Sequence, residues 1–326
     1  MSVSVRDIAI PAPAVDAAVV ALRSARSRAA AGGLVINVCA LCGTTDATML
    51  FHVDRGVIVQ CPRCELVRDA TRPSSPGAFY DQEYYSSDDP KGGYANYVLD
   101  ADINKRTFRD RLRKIERGYG YGRYARLLDV GCALGDFVLE AKQDGWDAEG
   151  VEISPAAAAQ ARSRGARVHC GVLQDLGLPA QSYDAITLYD VIEHLPDPVA
   201  ALREIRRLLT PEGVLHLVTP NVGGLQAKVL GRYWYHYKPG EHLFYFSPKT
   251  LRAAVQRALL RWDGWSMSAS YVTVSYVLNR LRYYAPGPFG SLEGIGRTLR
   301  LGPFAFRLPV GEMEAWVTRS DLRPRA

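Results

Sequence analysis

The chain has 326 residues, 48% of them hydrophobic, and carries 40 basic and 34 acidic side chains for a formal charge of +6. That length can bury a full core and a second small one, and the mild, scattered charge excess gives no argument for a nucleic-acid partner. No run approaches the roughly 18 apolar residues of a membrane span, and the amino terminus MSVSVRDIAIPAPAV lacks the basic start and apolar core of a signal peptide. Together with six cysteines, four of them in CxxC pairs, these features predict a cytoplasmic protein whose thiols serve a metal rather than disulfides.

In residues 1–35, Val15, Ala18, Val19 and Leu22 fall at helical spacing and predict a helix that ends at Gly32-Gly33. Such an extension suits docking on the body or a homodimer contact. Residues 36–70 read as a zinc ribbon. Cys39-Ala-Leu-Cys42 and Cys61-Pro-Arg-Cys64 are separated by 18 residues, the spacing of a four-thiolate zinc site. Between them, Thr48–Val53 and Val57–Gln60 are strand-like around the turn signal Asp54-Arg55-Gly56. Four Cys ligands leave no open coordination position, so the ion is expected to be structural. Cys132 and Cys170 read as small buried residues of core strands. Residues 71–125 form a linker and helical cap, in which Tyr84 and Tyr85 precede a helix over about Asn96–Arg117. The arginines at 106, 109, 111, 113 and 117 read as a solvated face of that helix.

Arg126–Ser154 reads as strand, glycine turn, helix and strand. Gly131 and Gly135 let the turn adopt unusual dihedrals and let a ligand approach the backbone. Glu152, 23 residues after Asp129, is placed to hold the two hydroxyls of a ribose. A nucleoside cofactor is therefore expected here. Ser154-Pro155 caps the next helix, Val168–Cys170 and Tyr183–Tyr189 continue as strands, Asp197–Leu209 as a helix, and Val214–Thr219 as a fifth strand. Repeated βα units predict an α/β fold, a doubly wound, Rossmann-like and mostly parallel seven-stranded sheet over 126–320, with ligands at the carboxyl ends of the strands. Trp265–Val274 and Glu312–Thr318 complete it as strands six and seven, flanking an insertion at 275–309.

The D-x-G-x-x-x-G turn at Asp129, with Ala133 in the place of a middle glycine, resembles motif I of the class I S-adenosylmethionine (SAM)-dependent methyltransferases. Asp190-Val-Ile-Glu193-His194-Leu-Pro-Asp197-Pro198 closely resembles the D-x-x-E-H-x-x-D-P stretch of the branch that includes ubiquinone O-methyltransferases and many natural-product and sugar enzymes. The aromatic stretch Gly231–Pro248 is similar to that branch's H-L-x-x-F-S segment, and residues 222–249 then form the acceptor-site loop. The resemblance covers about 36–320. It implies SAM as cofactor, bound by Asp129, Gly131, Gly135, Glu152, Ile153, Leu173, Tyr189 and Asp190. It places Glu193 and His194 facing the transferred methyl or its acceptor, and His242 in the acceptor-site wall. His194 is then the expected catalytic general base with His242 second, and the rate is expected to rise with pH through an ionisation in the histidine range. Tyr233, Tyr235, His236 and Glu241 are the expected acceptor contacts. O-methylation of a small-molecule, sugar, glycan or natural-product acceptor leads. C- or N-methylation of a sugar or metabolite, ribosomal-RNA methylation, and a non-catalytic zinc- and SAM-binding module are the alternatives. An N-P-P-[YF] motif is lacking after strand four, which argues against the amino groups of bases.

Overall fold

The computed structural model describes residues 38–53, 56–71, 101–282 and 304–319. The expected helix within 1–35, the hairpin turn at Asp54 and Arg55, and Tyr84 and Tyr85 lie outside those residues. Three short strands come first: β1 (Thr48–Val53), β2 (Gly56–Gln60) and β3 (Val67–Asp69). Helix α1 (Ala101–Tyr119) leads into β4 (Arg126–Val130), α2 (Asp136–Gln143), β5 (Asp147–Glu152), α3 (Pro155–Ser163), β6 (Val168–Cys170) and β7 (Tyr183–Tyr189). Then follow α4 (Pro198–Leu208), β8 (Leu209–Pro220), α5 (Leu225–Leu230), β9 (Phe244–Tyr245), α6 (Pro248–Arg257), β10 (Leu260–Thr273), α7 (Val274–Arg282) and β11 (Ala305–Arg319).

The seven-stranded sheet runs β10-β11-β8-β7-β4-β5-β6, parallel from β8 to β6, with β11 antiparallel to both of its neighbours. Strand order reverses between β4 and β7, which opens a crevice at their carboxyl ends. Leu127 and Leu128 on β4 point to opposite faces and are both fully buried, as a strand covered by helices on two sides requires. One apolar cluster, with Leu128, Leu188, Leu202 and Val255, lies under α4 and α6. Another, with Leu127, Phe137, Ala141 and Ile115, lies under α1 and α2. Caps set several helix starts. The Ser154 hydroxyl accepts from Ala157 N–H, the Asp197 carboxylate accepts from Ala200 N–H, and Ser247 and Thr250 form a capping box.

Two features differ from the sequence reading. Strands β10 and β11 are longer than Trp265–Val274 and Glu312–Thr318, because their antiparallel pairing runs from Leu260 opposite Arg319 to Thr273 opposite Ala305. The described part of the 275–309 insertion is accordingly helix at one end and strand at the other. The ribbon hairpin also gains two strands, in the order β1-β2-β3-β9, so a segment far along the chain completes its sheet.

The turn after β4 has no room for side chains at its glycines. Gly131 and Gly135 both have φ of 77°, and a Cβ on Gly135 would lie 2.9 Å from Ala166 Cβ and 3.0 Å from Ala161 Cβ. Ala133, between them, is left-handed as well, at φ 47°. Gly135→Ala combines left-handed strain with overpacking and is expected to cost about 2–5 kcal/mol. Chemical denaturation without ligand measures it, and unchanged stability would show that the α2–α3 contact is looser than described.

Candidate active site

A cavity of about 810 Å³ occupies the crevice at the carboxyl ends of the parallel strands. Gly131, Ala133, Glu152, Ile153 and Leu173 line one half. Glu152 is held from both sides: one carboxylate oxygen accepts the Ala133 N–H at 2.9 Å, the other the Ser154 N–H at 2.8 Å. Its orientation is thus set before any ligand arrives. Asp129 lies beneath the cavity and accepts the Thr187 hydroxyl at 2.7 Å; burial pushes it up to about 7. Gly135 likewise packs behind the wall, against α3.

Tyr189 departs from its expected place. Its ring turns to the other face of the sheet, where the hydroxyl shares a hydrogen bond with His216 Nδ1 at 2.9 Å and the ring meets Phe137 edge-on. Above that ring, at 4.4 Å, sits the guanidinium of Arg111, which does line the cavity and comes within 4.0 Å of Glu312. Arg111 belongs to the group expected on a solvated face. It is only 6% exposed, because it falls one turn from Thr107 and beside Leu112 and Ile115 on the buried stripe of α1. That stripe was the signal available in the sequence. Burial raises Asp190 and pushes Glu312 up to about 8, while Arg111 opposes both shifts.

The other half of the cavity is built on the single turn Ile192–His194 that follows β7. The Glu193 side chain is buried and accepts the Thr219 hydroxyl at 2.9 Å; burial drives it well above the carboxylate range. His194 Nδ1–H donates to the Glu241 carbonyl at 2.9 Å, which leaves Nε2 as the lone-pair nitrogen, 4.0 Å from Glu193. The His242 ring stands edge-on to His194 with centroids 4.7 Å apart. These three residues each place one oxygen or nitrogen within 4.8 Å of the others. Burial lowers His194 to about 4 and His242 well below its ordinary value, so both rings are neutral near pH 7. An ionisation in the histidine range is therefore not expected from His194, a correction to the sequence reading that follows from its burial.

Tyr235 and His236 line the outer wall with Lys238, Tyr276 and Arg280, none of the last three foreseen as contacts. Arg280 lies 4.1 Å over the Tyr235 ring and 4.9 Å over that of Tyr276. Tyr233 does not join them: it is 58% exposed and bonds Arg232. The Glu241 carboxylate faces Lys238 at 3.7 Å, so this residue reaches the site through its carbonyl.

Apart from the cavity, the sulfurs of Cys39, Cys42, Cys61 and Cys64 lie within 4.8 Å of one another. Two matching turns present them: Gly43 N–H returns to the Cys39 carbonyl and Glu65 N–H to the Cys61 carbonyl, each at 2.9 Å. Both turn residues are left-handed, at φ 72° and 65°. The hydrogen bond from Cys64 holds Cys39 down at about 5, and burial pushes Cys42 up to about 11. Four sulfurs gathered this closely form a set that a thiophilic cation can hold.

The family model of a methyltransferase domain matches residues 94–261. A ubiquinone biosynthesis O-methyltransferase of Xanthomonas oryzae is 30% identical over 215 residues, covering 59% of this chain and 85% of that protein. Another, from Haemophilus ducreyi, is 28% identical over 153 residues, covering 44% and 62%. Among solved structures, a SAM-dependent methyltransferase of Archaeoglobus fulgidus is 17% identical with a TM-score of 0.45, covering 69% of this chain and 100% of that one. No helix among the described residues is long and apolar enough to cross a membrane.

Burial of the histidines has a direct readout. Imidazole nitrogen resonances of His194, His216 and His236, all lowered to about 4 by burial, are expected to stay neutral from about pH 8 to about pH 5.5. Protonation of His194 near pH 6.5 would mean that its surroundings admit water.

Proposed function

Because the chain belongs to the class I SAM-dependent methyltransferases, we propose that it methylates a hydroxyl of a small-molecule acceptor such as a sugar, glycan or natural product. The observation that carries the choice of oxygen is the trio Glu193, His194 and His242, which shares one cavity with the Glu152 turn. SAM supplies a methyl group already activated by positive sulfur, so alignment is most of what the protein must add. Glu152, fixed by two backbone N–H groups, keeps carboxylate lone pairs for a ribose. Arg111 offers a charge-assisted donor to a carboxylate at the opposite end, where Asp190 can accept from an ammonium. Ile153 and Leu173 supply apolar walls for the base.

A hydroxyl needs to lose its proton as it attacks. His194 suits that role because its Nδ1–H is committed to the Glu241 carbonyl, leaving the Nε2 lone pair. His242 is the second choice; its Nδ1 is buried and without a hydrogen-bond partner among the described residues. Glu193, raised well above the carboxylate range by burial, lies 4.0 Å from His194 Nε2. The two O-methyltransferase relatives agree with this choice of acceptor atom, while the acceptor itself is proposed from the mixed aromatic and charged wall of Tyr235, Lys238, Tyr276 and Arg280.

Glu152→Ala is expected to weaken SAM binding by about 1.5–3 kcal/mol, the worth of hydrogen bonds to a charged group. His194→Ala should retain that affinity and lose about 10²–10⁴-fold in turnover. Calorimetry and single-turnover assays separate the two. A His194→Ala enzyme at full speed would move the base to His242, or indicate an acceptor that is nucleophilic without one. With His194 already neutral, it should contribute no ionisation of its own to the wild-type rate across the histidine range, where Asp129 and Glu312, pushed up to about 7 and about 8, are the groups that titrate.

The four-thiolate set fits a structural zinc ion, since an all-sulfur tetrahedral site leaves no position for water. Elemental analysis is expected to find one zinc per chain, lost in Cys61→Ser with a fall in stability. A metal-free wild type that is fully folded would exclude the assignment.

A further inference from the structure

Among the described residues, none from the cysteine ribbon lines the cavity, yet the ribbon and the acceptor side of the cavity share one small core. Val53, Ile58 and Val67 of the ribbon pack with Trp234, Tyr237 and Tyr245 of the loop that carries His242. Phe51 meets the Tyr237 ring edge-on at 5.0 Å. Gly56 lies so close to Pro239 that an added Cβ would come within 2.1 Å of that ring. Strand β3 pairs with β9, two residues beyond His242.

Asp69 concentrates these contacts. It is fully buried at the end of β3. One carboxylate oxygen accepts the Gly240 N–H at 2.8 Å; the other accepts the N–H and hydroxyl of Thr71, on its own strand end. Its backbone N–H donates to the Leu243 carbonyl at 3.1 Å, and the Leu243 N–H donates in turn to the Glu193 carbonyl at 2.8 Å. Leu243 is thus one residue wide between the ribbon and the Glu193-His194 turn. Gly240 and Leu243 bracket the two residues whose groups face His194: the Glu241 carbonyl and the His242 ring.

We propose that the ribbon is the template on which the acceptor loop takes its shape, with Asp69 as the positioning residue that holds residues 240–243 and so sets His242 and the Glu241 carbonyl against His194. The inference rests on the acceptor-site reading of that loop. The fold gives it a reason. A loop rich in aromatic side chains that must present polar groups to a substrate cannot fix itself by burial alone, and buried backbone N–H groups need partners. The Asp69 carboxylate provides one at Gly240, where the chain turns with φ of 91° and has no partner within a regular element.

The test uses Asp69→Ala, the isosteric Asp69→Asn and Gly56→Ala in the full chain. In Asp69→Ala, amide exchange in the peptide covering 237–246 is expected to accelerate about 10- to 100-fold, the range for losing a hydrogen bond to a charged group. Carbethoxylation of the buried His242 should rise alongside it. Exchange in β4 and α2, and calorimetric affinity for SAM, should stay as in wild type. Asp69→Asn keeps one acceptor oxygen, which Gly240 and Thr71 must compete for, and should restore part of the protection. Gly56→Ala, which displaces Pro239 without touching Asp69, should reproduce the local change. Unchanged exchange at 237–246 in both Ala variants would overturn the proposal. So would acceleration spread equally over β4 and α2, since that marks general destabilisation. Failure of wild type to bind SAM would overturn the functional reading instead, a result the exchange data do not depend on.

Discussion

Everything in the site depends on how closely the turn after β4 approaches the turn after β7. A Cβ on Gly131 would lie 2.4 Å from the Val191 side chain, so only glycine permits the two strand ends to meet. The same turn is tied to β5, because the N–H groups of Gly131 and Cys132 both donate to the Val151 carbonyl, at 2.8 and 3.0 Å. Three strand ends are thereby pinned to one point. Glu152 on one side and the Asp190–His194 segment on the other become opposite walls of a single cavity. Parallel pairing alone sets strand spacing, not the distance between the chains that leave the strands.

Charge in that cavity follows from the burial of its titratable groups. Asp129, Asp190, Glu193 and Glu312 are all raised by burial, and His194, His236 and His242 are all lowered by it, so both kinds of group move toward neutrality. A cationic ligand with an ammonium and a sulfonium changes that balance in favour of ionised carboxylates. Arg111 already works in the same direction on Asp190 and Glu312 from its place over Tyr189. The site is therefore poised to gain charge when filled, rather than to hold it while empty.

The fold was legible because its signals are local. Glycines at 131 and 135, the Ser154-Pro155 cap and the apolar run of β7 each act within a few residues, and each element stands where those signals end. The cysteine pairs are also local, and their meeting required only the hairpin between them. What the sequence concealed depends on distant pairing. Two residues of β9 joining a ribbon that begins nearly 200 positions earlier leave no periodicity to detect. The resemblance implies a cofactor contact for Tyr189, but alternation along β7 sends its ring to the face opposite Leu188, which lines the cavity. Arg111 looked like one arginine among five, and only its place beside Leu112 and Ile115 distinguishes it.

Ala133 carries one more consequence. At φ 47° it holds a conformation that glycine would enter freely and alanine enters at a cost. Alanine also has far fewer conformations available when the turn is loose. The ordering that a glycine-rich loop undergoes as its ligand settles is here completed when the chain folds, with the Ala133 N–H already anchored on Glu152. The entropy of shaping this turn is thus charged to folding rather than to ligand association. A cavity floor so prepared should capture its nucleoside with a smaller unfavourable entropy than a floor of three glycines would.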